Sequence, residues 1–353
     1  MGKVFSTVHK GHAGLLTCPQ HITHAVADLT RELIDADSSI GTVFGRRAVS
    51  DLSDFDSKYV LDGQRGTLGK GKFGMVVACC LKSEAEYSDR QLFALKTVEA
   101  SAEGGEAVER IREEIRILRL VRGHPHVITL RDVDDKSFGL TNTVRLVFDL
   151  CSGGDLYERI RQVGNYSVGE GKIVLRNLLG GVAFIHSKGL MHRDLKPENV
   201  LLVSRGSNTD IRIADFGLAK RAADFPRRLP HSRSVCGSDF YLAPEIIRQE
   251  EYGREIDLWS VGVVAYVVLT GSLPFYNRQL HKLYRQILER DINLDVIAED
   301  FRPLLTVGAR DLICRLLQLR SQDRLSAEEA FQHPIGPQEL SPDTHSCPQH
   351  AGG

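Results

Sequence analysis

A glycine-rich stretch near residue 70 has the residue types and the spacing needed to hold a phosphate group. Residues 68–76 read LGKGKFGMV, with glycines at positions 69, 71 and 74. Glycine has no side chain, so backbone amides can approach a phosphate there without obstruction. The same spacing occurs in dinucleotide-binding folds and in ordinary turns, but in a dinucleotide fold a helix begins at the third glycine. Here the apolar run 75–80 follows, which favours a strand, so we predict a strand–loop–strand hairpin over a nucleotide.

A lysine and a glutamate on neighbouring predicted elements could form an ion pair. Lys96 ends the apolar alternation of residues 93–96, although by itself it would be interpreted as a surface lysine at a strand end. Glu114 lies beside the apolar positions of a predicted helix and therefore borders the buried stripe of that helix. A carboxylate in that position requires a cation, and Lys96 is the candidate. Glu113 is the alternative partner if the helical register differs by one residue.

The elements that must position these residues change in character along the chain. Short β-branched and aromatic runs dominate up to residue 150, interrupted by one helical segment at 107–120. After residue 153 the apolar spacing becomes helical. Strands followed by helices predict an α+β fold with two lobes of different class. The predicted strands are 74–80, 92–98, 127–132 and 144–150, and the later helices are 155–161, 170–186, 257–269, 279–289 and 309–319.

Composition excludes several classes of protein. The 353 residues are 42% apolar and 26% charged, which is typical of a globular chain and excludes wholesale disorder. A net charge of −1 gives no overall attraction to nucleic acid or to an anionic membrane. The longest apolar run, 261–269, is too short for a membrane helix, and no signal peptide is evident, so we expect a cytoplasmic or nuclear protein. Seven cysteines without a C-x-x-C pair predict reduced thiols and no structural zinc site.

The two ends of the chain differ from its central region. Residues 1–56 are predicted as an extension that contains one amphipathic helix and then a polar linker at 35–56. We expect that helix to pack on its own domain rather than to bind a partner. Its apolar residues at helical spacing are Ile22, Ala25, Val26, Leu29 and Leu33. The central domain is predicted at 57–334, with lobes at about 57–150 and 151–334, and residues 335–353 are predicted as a disordered tail.

Three further motifs identify a family. Residues 192–199 read HRDLKPEN, residues 215–217 read DFG and residues 243–245 read APE. Together with the glycine-rich stretch and Lys96, in this order, they resemble the eukaryotic protein kinases of serine/threonine type over residues 58–334. Residues 146–156, LVFDLCSGGDL, are most similar to the calcium/calmodulin-dependent group, which includes calcium-dependent kinases of protists and plants. The resemblance implies the bilobal protein kinase fold, with a β-rich N-lobe that carries one helix and a mainly helical C-lobe.

The resemblance also implies ATP as phosphoryl donor, Mg²⁺ as cofactor and protein substrates. Asp194 would orient the acceptor hydroxyl and take its proton, and Lys196 would lie next to the γ-phosphate. Asn199 and Asp215 would hold Mg²⁺, which prefers hard oxygen ligands. Lys96, held by Glu114, would contact the α- and β-phosphates. The remaining positions implied at the nucleotide are Leu68, Gly69, Gly71, Gly74, Val76, Ala94, Phe148, Asp149, Cys151 and Asp155, of which Phe148 would guard the back pocket.

The acceptor side is also implied by the resemblance. Lys196 follows the spelling of the serine/threonine kinases, and Ser238 would contact Asp194 and Lys196. Asp155 and Glu198 offer carboxylates to an arginine three residues before the acceptor. Two other functions are alternatives. A pseudokinase scaffold would lack one of the chemically required residues, none of which is missing, and a small-molecule kinase would not need the peptide platform at 237–245.

Regulation is less clearly marked in the sequence. Phosphorylation of Ser234, or alternatively Ser232, could order the activation segment by pairing with Arg193, which implies an upstream activating kinase. No EF-hand loop is present, and the tail lacks a basic amphipathic helix, so we expect no direct calcium or calmodulin site. Gly2 fits a loose N-myristoylation pattern that Lys3 disfavours, and membrane contact is expected only if that acylation occurs. The resemblance also implies that Asp257 holds the backbone of the catalytic loop, and that Glu245 and Arg324 form a buried ion pair.

Overall fold

The computed structural model describes residues 54–63, 65–71, 74–99, 105–135, 143–222, 237–292 and 306–335. The predicted amphipathic helix at 22–33, most of the predicted linker, and Ser232 and Ser234 lie outside the described residues. No helix among those described is long and apolar enough to cross a membrane. The described cysteines, at positions 79, 80, 151 and 314, are free thiols.

The N-lobe is built on an antiparallel sheet of six strands with one long helix inserted between the fourth and the fifth. Strand β3 lies between β1 and β4, β6 follows β4, and β5 is at the edge, while β2 forms a hairpin with β3. The inserted helix α2, Gly105–Leu120, packs its apolar stripe against one face of the sheet. The strands are β1 Tyr59–Leu61, β2 Thr67–Gly71, β3 Gly74–Leu81, β4 Leu92–Glu99, β5 Leu130–Asp134 and β6 Thr143–Asp149.

The other face of this sheet is covered by the segment that leads into it. The short helix α1, Asp54–Lys58, places Phe55 against Tyr59, with ring centroids 4.9 Å apart, and both rings are buried. Arg145 lies over the Phe55 ring at 4.5 Å and pairs with Asp56 and with Asp134. The final residues of the predicted linker therefore pack on the N-lobe, because Phe55 supplies an apolar anchor that the polar composition around it obscures.

The C-lobe is organised around one helix that is apolar on all sides. Helix α6, Glu255–Thr270, is buried along nearly its whole length, as an all-apolar helix must be. It ends at Gly271, whose φ of 69° is left-handed. Two short ribbons, β7 Leu190–Met191 with β10 Lys220–Arg221, and β8 Val200–Leu202 with β9 Ile211–Ile213, carry the loops of the cleft. The other helices are α3 Leu156–Val163, α4 Val168–Ser187, α5 Pro244–Ile247, α7 Leu280–Glu289, α8 Val307–Leu316 and α9 Ala327–Gln332.

The predicted fold class is confirmed. Strands precede most of the helices, and the four predicted strands and the predicted helix at 107–120 are each present within a few residues of their predicted bounds, while the short helix α1 was not predicted. Ile335 differs from the prediction, because it is buried in the main core instead of opening a disordered tail. The tail prediction rested on the composition of the residues that follow Ile335, which dominate the average over 335–353.

Candidate active site

The glycine-rich stretch forms the predicted hairpin. β2 and β3 pair antiparallel, with Gly71 opposite Gly74 and Gly69 opposite Val76. Gly74 has a φ of 138°, and a Cβ placed there would lie 1.8 Å from the carbonyl oxygen of Thr97. Only glycine fits this position, because any side chain would collide with the neighbouring strand β4. Residues 72 and 73, at the tip of the turn, lie outside the described residues.

The predicted ion pair behind the hairpin is formed. Nζ of Lys96 on β4 lies 3.1 Å from Oε1 of Glu114 on α2, and both side chains are mostly buried, at 19% and 12% exposed. Glu113 instead contacts Arg116 on the surface of the same helix at 3.1 Å, so the alternative register does not apply. The pair links the side chains of β4 and α2 through one contact.

The connection between the lobes begins at Phe148, near the end of β6. Phe148 lies opposite Ala94 on β4 and Leu130 on β5, so the ring and the small alanine are neighbours in the sheet. The carboxylate of Asp149 is engaged by Arg131, with contacts of 2.5 and 2.9 Å. The backbone N–H of Asp149 donates to the carbonyl of Thr129 at 3.2 Å, so the backbone carbonyl of Asp149 is the group left to contact a nucleotide. Burial raises the pKa of the Cys151 thiol to about 11, which keeps this residue neutral.

Leu201, a residue that sequence reasoning did not select, lies beside Asp155 at the junction with the cleft. Leu201 in β8 is half-buried, whereas Val200 and Leu202 on either side are buried in the C-lobe core. Strand alternation therefore directs Leu201 toward the cleft. Leu201 forms an isolated bridge with Asp155. The apolar run 200–203 directly after Asn199 was the signal that could have indicated it.

Asp155 caps a helix, a structural role that the sequence did not indicate. Its Oδ1 accepts a hydrogen bond of 2.8 Å from the backbone N–H of Glu158 and caps helix α3. Burial raises the pKa of Asp155, and the capping hydrogen bond only partly offsets that effect. One carboxylate oxygen is thus committed to the helix, which leaves the other for any contact with ribose or with a substrate arginine.

The catalytic-loop residues form a compact cluster around one carboxylate. Oδ2 of Asp194 accepts hydrogen bonds from Nζ of Lys196 at 2.7 Å and from Nδ2 of Asn199 at 2.9 Å. Nδ2 of Asn199 also donates to the backbone carbonyl of Asp194 at 2.7 Å. Both side-chain contacts end on Oδ2, so Oδ1 is the oxygen positioned to accept a proton from an incoming hydroxyl.

This loop is anchored from below by a buried aspartate. The carboxylate of Asp257 on α6 accepts hydrogen bonds of 2.8 Å from the backbone N–H groups of His192 and Arg193, and Nε2 of His186 lies 2.9 Å from its Oδ2. Arg193 has a left-handed φ of 71°, which is costly for a residue with a side chain. Burial alone would raise the pKa of Asp257, but the hydrogen bond and charge of His186, the charge of His192 and the backbone N–H of Arg193 together outweigh burial and lower it.

Residues 215–217 complete the cluster. Phe216 is buried with its ring edge-on to His192 at 4.9 Å, and Asp215 takes a left-handed φ of 62°. Oδ1 of Asp215 accepts a hydrogen bond of 3.3 Å from the backbone N–H of Gly217. A Cβ at Gly217 would lie 3.8 Å from Oε2 of Glu114, so the Lys96–Glu114 pair adjoins this turn. Residues from both lobes therefore meet at one place.

Two oxygen-bearing side chains in this cluster fit a magnesium ion. Asn199 and Asp215 are brought close by a backbone hydrogen bond of 2.8 Å from Ala214 N–H to the Asn199 carbonyl. No group of three or more His, Cys, Asp or Glu side chains within the described ranges could hold a metal ion by itself. Mg²⁺ is usually held by one or two protein ligands together with substrate phosphates, so this small donor set fits that ion.

Glu198, which is expected to face the peptide substrate, has a buried carboxylate oxygen. Oε2 of Glu198 is buried and has no hydrogen-bond partner among the residues that the structure describes. Burial, with smaller contributions from the negative charges of Asp155 and Asp194, raises the pKa of Glu198, although the charge of Lys196 acts in the opposite direction. The Ser238 side chain lies outside the described residues, although its backbone belongs to a short 3₁₀ turn at Gly237–Tyr241.

Three other predicted residues belong to the surrounding scaffold. Arg193 is half-buried with its guanidinium 5.9 Å from the Tyr252 ring, and burial lowers its pKa. Glu245 and Arg324 form a buried bidentate pair with both contacts at 2.6 Å. This pair connects α5 to the segment before α9 and therefore supports the peptide platform without touching the cleft.

The sequence matches the protein kinase domain family over residues 63–335, and the chain belongs to that family. It is 35% identical over 269 residues to Calcium-dependent protein kinase 26 of Oryza sativa subsp. japonica, covering 76% of this chain and 46% of the relative. Calcium-dependent protein kinase 25 of Arabidopsis thaliana is 35% identical over 279 residues, 78% of this chain and 50% of the relative. Calcium/calmodulin-dependent serine/threonine-protein kinase 1 of Oryza sativa subsp. japonica is 35% identical over 283 residues, which cover 79% of this chain and 44% of the relative.

These relatives confirm the predicted resemblance to the calcium-linked serine/threonine kinases. The chain spans about half the length of the curated relatives it matches.

Proposed function

We propose that this chain is a serine/threonine protein kinase that transfers the γ-phosphoryl group of ATP to protein substrates. The observation that carries the proposal is the cluster in which Lys196 and Asn199 hold the Asp194 carboxylate. Phosphoryl transfer depends on positioning and charge neutralisation, and the described residues supply both at one place. Membership of the protein kinase family supports the same function.

Each residue of the cluster has a physical role in this reaction. The Lys96 ammonium, oriented by Glu114 at 3.1 Å, offers positive charge to the phosphates. Lys196, at 2.7 Å from Asp194, offers a second positive charge where the transferred group meets the acceptor. Asp194 holds the acceptor hydroxyl and takes its proton at Oδ1. Asn199 and Asp215 would hold Mg²⁺, which when bound neutralises phosphate charge.

We propose that substrates with arginine three residues before the acceptor are preferred. A guanidinium placed against Glu198 would satisfy the buried Oε2 that has no partner among the described residues. It would also favour the ionised form of Glu198, which burial disfavours. Asp155 contributes less, because one of its oxygens caps α3. Acceptor contacts of Ser238 are part of this proposal.

We propose activation by phosphorylation at Ser234, with Ser232 as the alternative. The Arg193 guanidinium is half-buried, and burial already lowers its pKa, so a nearby phosphate would stabilise its charge. An upstream kinase or the chain itself could add this phosphate. Ser234→Ala is expected to block activation by an upstream kinase, and unchanged activation of Ser234→Ala with loss in Ser232→Ala would reassign the site.

The pseudokinase alternative is less consistent with the cluster than catalysis is. A scaffold without activity would not need Lys96, Asp194, Asn199 and Asp215 together. The calcium dependence in the names of the relatives belongs to those proteins, and we propose that this chain has no direct calcium response of its own. We also propose a cytoplasmic or nuclear location, with membrane contact only through acylation of Gly2.

The deciding experiment measures phosphate transfer from Mg-ATP to a positional peptide library. Asp215→Ala is the inactive variant, and Asp89→Ala, in the exposed loop between β3 and β4, is the matched control. Transfer by the wild type and by Asp89→Ala, strongest with arginine at minus three, is the expected result. Transfer without that preference would contradict the role of Glu198. The absence of transfer, even after treatment with an activating kinase, would contradict the enzyme proposal.

A further inference from the structure

Helix α2 has a cavity on the side away from the nucleotide cleft. The cavity has a volume of about 340 Å³, and Ile111, Ile115 and Val144 form its apolar lining. Ile111 and Ile115 are one turn apart on α2, and Val144 belongs to β6 on the same face of the sheet. We name this cavity the α2 pocket. The cavity is large enough to receive an apolar side chain from another helix.

The rim of the α2 pocket is strongly basic. Arg112, Arg116 and Arg119 line it at i, i+4 and i+7 spacing, so they form one stripe next to the isoleucines. Arg112 and Arg116 contact glutamates of their own helix, and solvent-exposed arginines in such pairs exchange partners easily. Arg119 forms no ion pair within the part of the chain that the structure describes. Asp135 is the acidic residue at the rim.

The N-terminal extension carries the complementary pattern. Its predicted helix has an apolar stripe that includes Val26, Leu29 and Leu33. Asp28, Glu32 and Asp35 follow the same i, i+4, i+7 spacing as the three arginines, and on a helix they lie along one edge of that apolar stripe. Each charged stripe is about 10 Å long, so three acids can face three arginines along the two helices.

The extension enters the described part of the chain close to this pocket. Asp56 in α1 pairs with Arg145, the residue after Val144, and Arg145 also contacts Asp134, the residue before Asp135. The extension that precedes α1 can therefore reach the pocket by passing around β5, the strand at the edge of the sheet. Eighteen residues, 36–53, lie between Asp35 and the start of α1. A flexible linker of that length spans about 25 Å on average, which is enough to place the helix on α2.

We propose that the helix at residues 22–35 docks into the α2 pocket of its own chain. Leu29 and Leu33 would contact the isoleucines, and the acidic stripe would face the three arginines. A tether of this length gives an effective concentration in the millimolar range, which favours the chain's own segment over a separate partner of similar chemistry. This inference goes beyond the proposed function, because it assigns a regulatory surface on the helix that carries Glu114.

The test is hydrogen–deuterium exchange on the full chain. Leu29→Glu with Leu33→Glu removes the apolar contact, and His24→Glu with Ala27→Glu adds the same charge to the opposite face as the matched control. We expect exchange at residues 22–35 to accelerate about tenfold or more in the first variant alone, since an isolated helix of this length is marginal in water. Equal exchange in the wild type and both variants would overturn the proposal.

A charge reversal on α2 tests the pairing from the other side. Arg116→Glu with Arg119→Glu is expected to accelerate exchange at 22–35, whereas Arg110→Glu with Arg122→Glu, exposed but away from the pocket, is not. Adding Glu32→Arg and Asp35→Arg to the first variant is expected to restore protection. Protection that rises with protein concentration would assign the pocket to a second copy and overturn docking within one chain. None of these readouts requires kinase activity, so they stand or fall independently of the proposed function.

Discussion

In the C-lobe, the catalytic loop rests on a buried carboxylate that receives hydrogen bonds from two backbone amides and lies against a histidine ring. In the N-lobe, Lys96 and Glu114 hold each other through one contact of 3.1 Å between side chains that are still partly exposed. The first arrangement fixes the backbone, including the left-handed Arg193, while the second fixes only two side-chain ends. The C-lobe half of the site is therefore built into the fold, and the N-lobe half can be gained or lost by a small movement of α2.

The largest expected effect is the loss of catalysis when Asp194 in the C-lobe is replaced, with the fold left intact. Asp194→Asn removes the proton acceptor but keeps an oxygen for Lys196 and Asn199. We expect kcat to fall about 10²–10⁴-fold with little change in the free energy of unfolding. Steady-state kinetics and chemical denaturation measure the two quantities. A large loss of stability would show that Asp194 is part of the scaffold.

Asp257→Asn tests the anchor itself. The variant is expected to lose about 3 kcal/mol of unfolding free energy, because the buried donors around it lose a charged acceptor. Activity should fall with it, since Arg193 is no longer held in its left-handed conformation. Glu251→Gln, an exposed acid close to α6, is the control.

The pH dependence of this loss follows from the lowered pKa of Asp257. An ionised carboxylate whose pKa is lower in the folded state stabilises the fold at pH values above its unfolded pKa of about 4. That stabilisation disappears as the pH falls through the folded pKa. The stability difference between wild type and Asp257→Asn should therefore shrink in acid, and a difference that grows in acid would contradict the assignment.

Glu114→Gln tests the N-lobe half. We expect kcat/KM for ATP to fall about 10–100-fold, because Lys96 loses its orienting charge. Stability should change by about 1 kcal/mol or less, as for a partly exposed ion pair. Glu113→Gln on the same helix turn is the matched control. If both glutamine variants lose activity equally, the pair at 3.1 Å is not what orients Lys96.

A smaller effect is expected at the substrate side. Glu198→Gln should reduce the preference for arginine at minus three about tenfold and leave peptides without arginine unaffected. Because the pKa of Glu198 is raised, the preference of the wild type should weaken as the pH falls through that pKa, where the carboxylate becomes neutral. Peptide kinetics between pH 5 and 8 measure this change. A preference that strengthens in acid would exclude Glu198 as the arginine acceptor.

The smallest expected effect is that of calcium. Phosphate transfer by this chain in Mg-ATP should be the same with Ca²⁺ and with a calcium chelator, since its sequence contains no EF-hand loop. A calcium-dependent rate would reveal a site on the chain that neither lobe of the described structure accounts for.

The sequence predicted the catalytic residues better than it predicted the residues that hold them in place. Motifs such as residues 192–199 are contiguous, so their members are close in any fold, and the strand and helix periods around them are strong. The Lys96–Glu114 pair, which joins two elements, could be predicted because a glutamate beside an apolar stripe requires a cation. The capping role of Asp155 could not, because a carboxylate that caps a helix and one that binds a ligand look alike in sequence.

The remaining differences arise where single residues override the local composition. Phe55 lies among polar residues and still anchors α1 on the sheet, and Ile335 enters the core although the residues after it are polar. Leu201 was overlooked because its position depends on which face of a two-stranded ribbon meets the cleft. Such facts depend on packing between distant elements, which one sequence does not display.

The thiol of Cys151 has a consequence for the design of inhibitors. It stands where the two lobes are joined, a position attractive for electrophilic compounds that form covalent bonds. With a pKa of about 11, only about one thiol in 10⁴ is ionised at pH 7, and the thiolate is the reactive form. Alkylation at this position should therefore be slow, and compounds that bind reversibly across the Phe148–Ala94 wall are the better starting point for this chain.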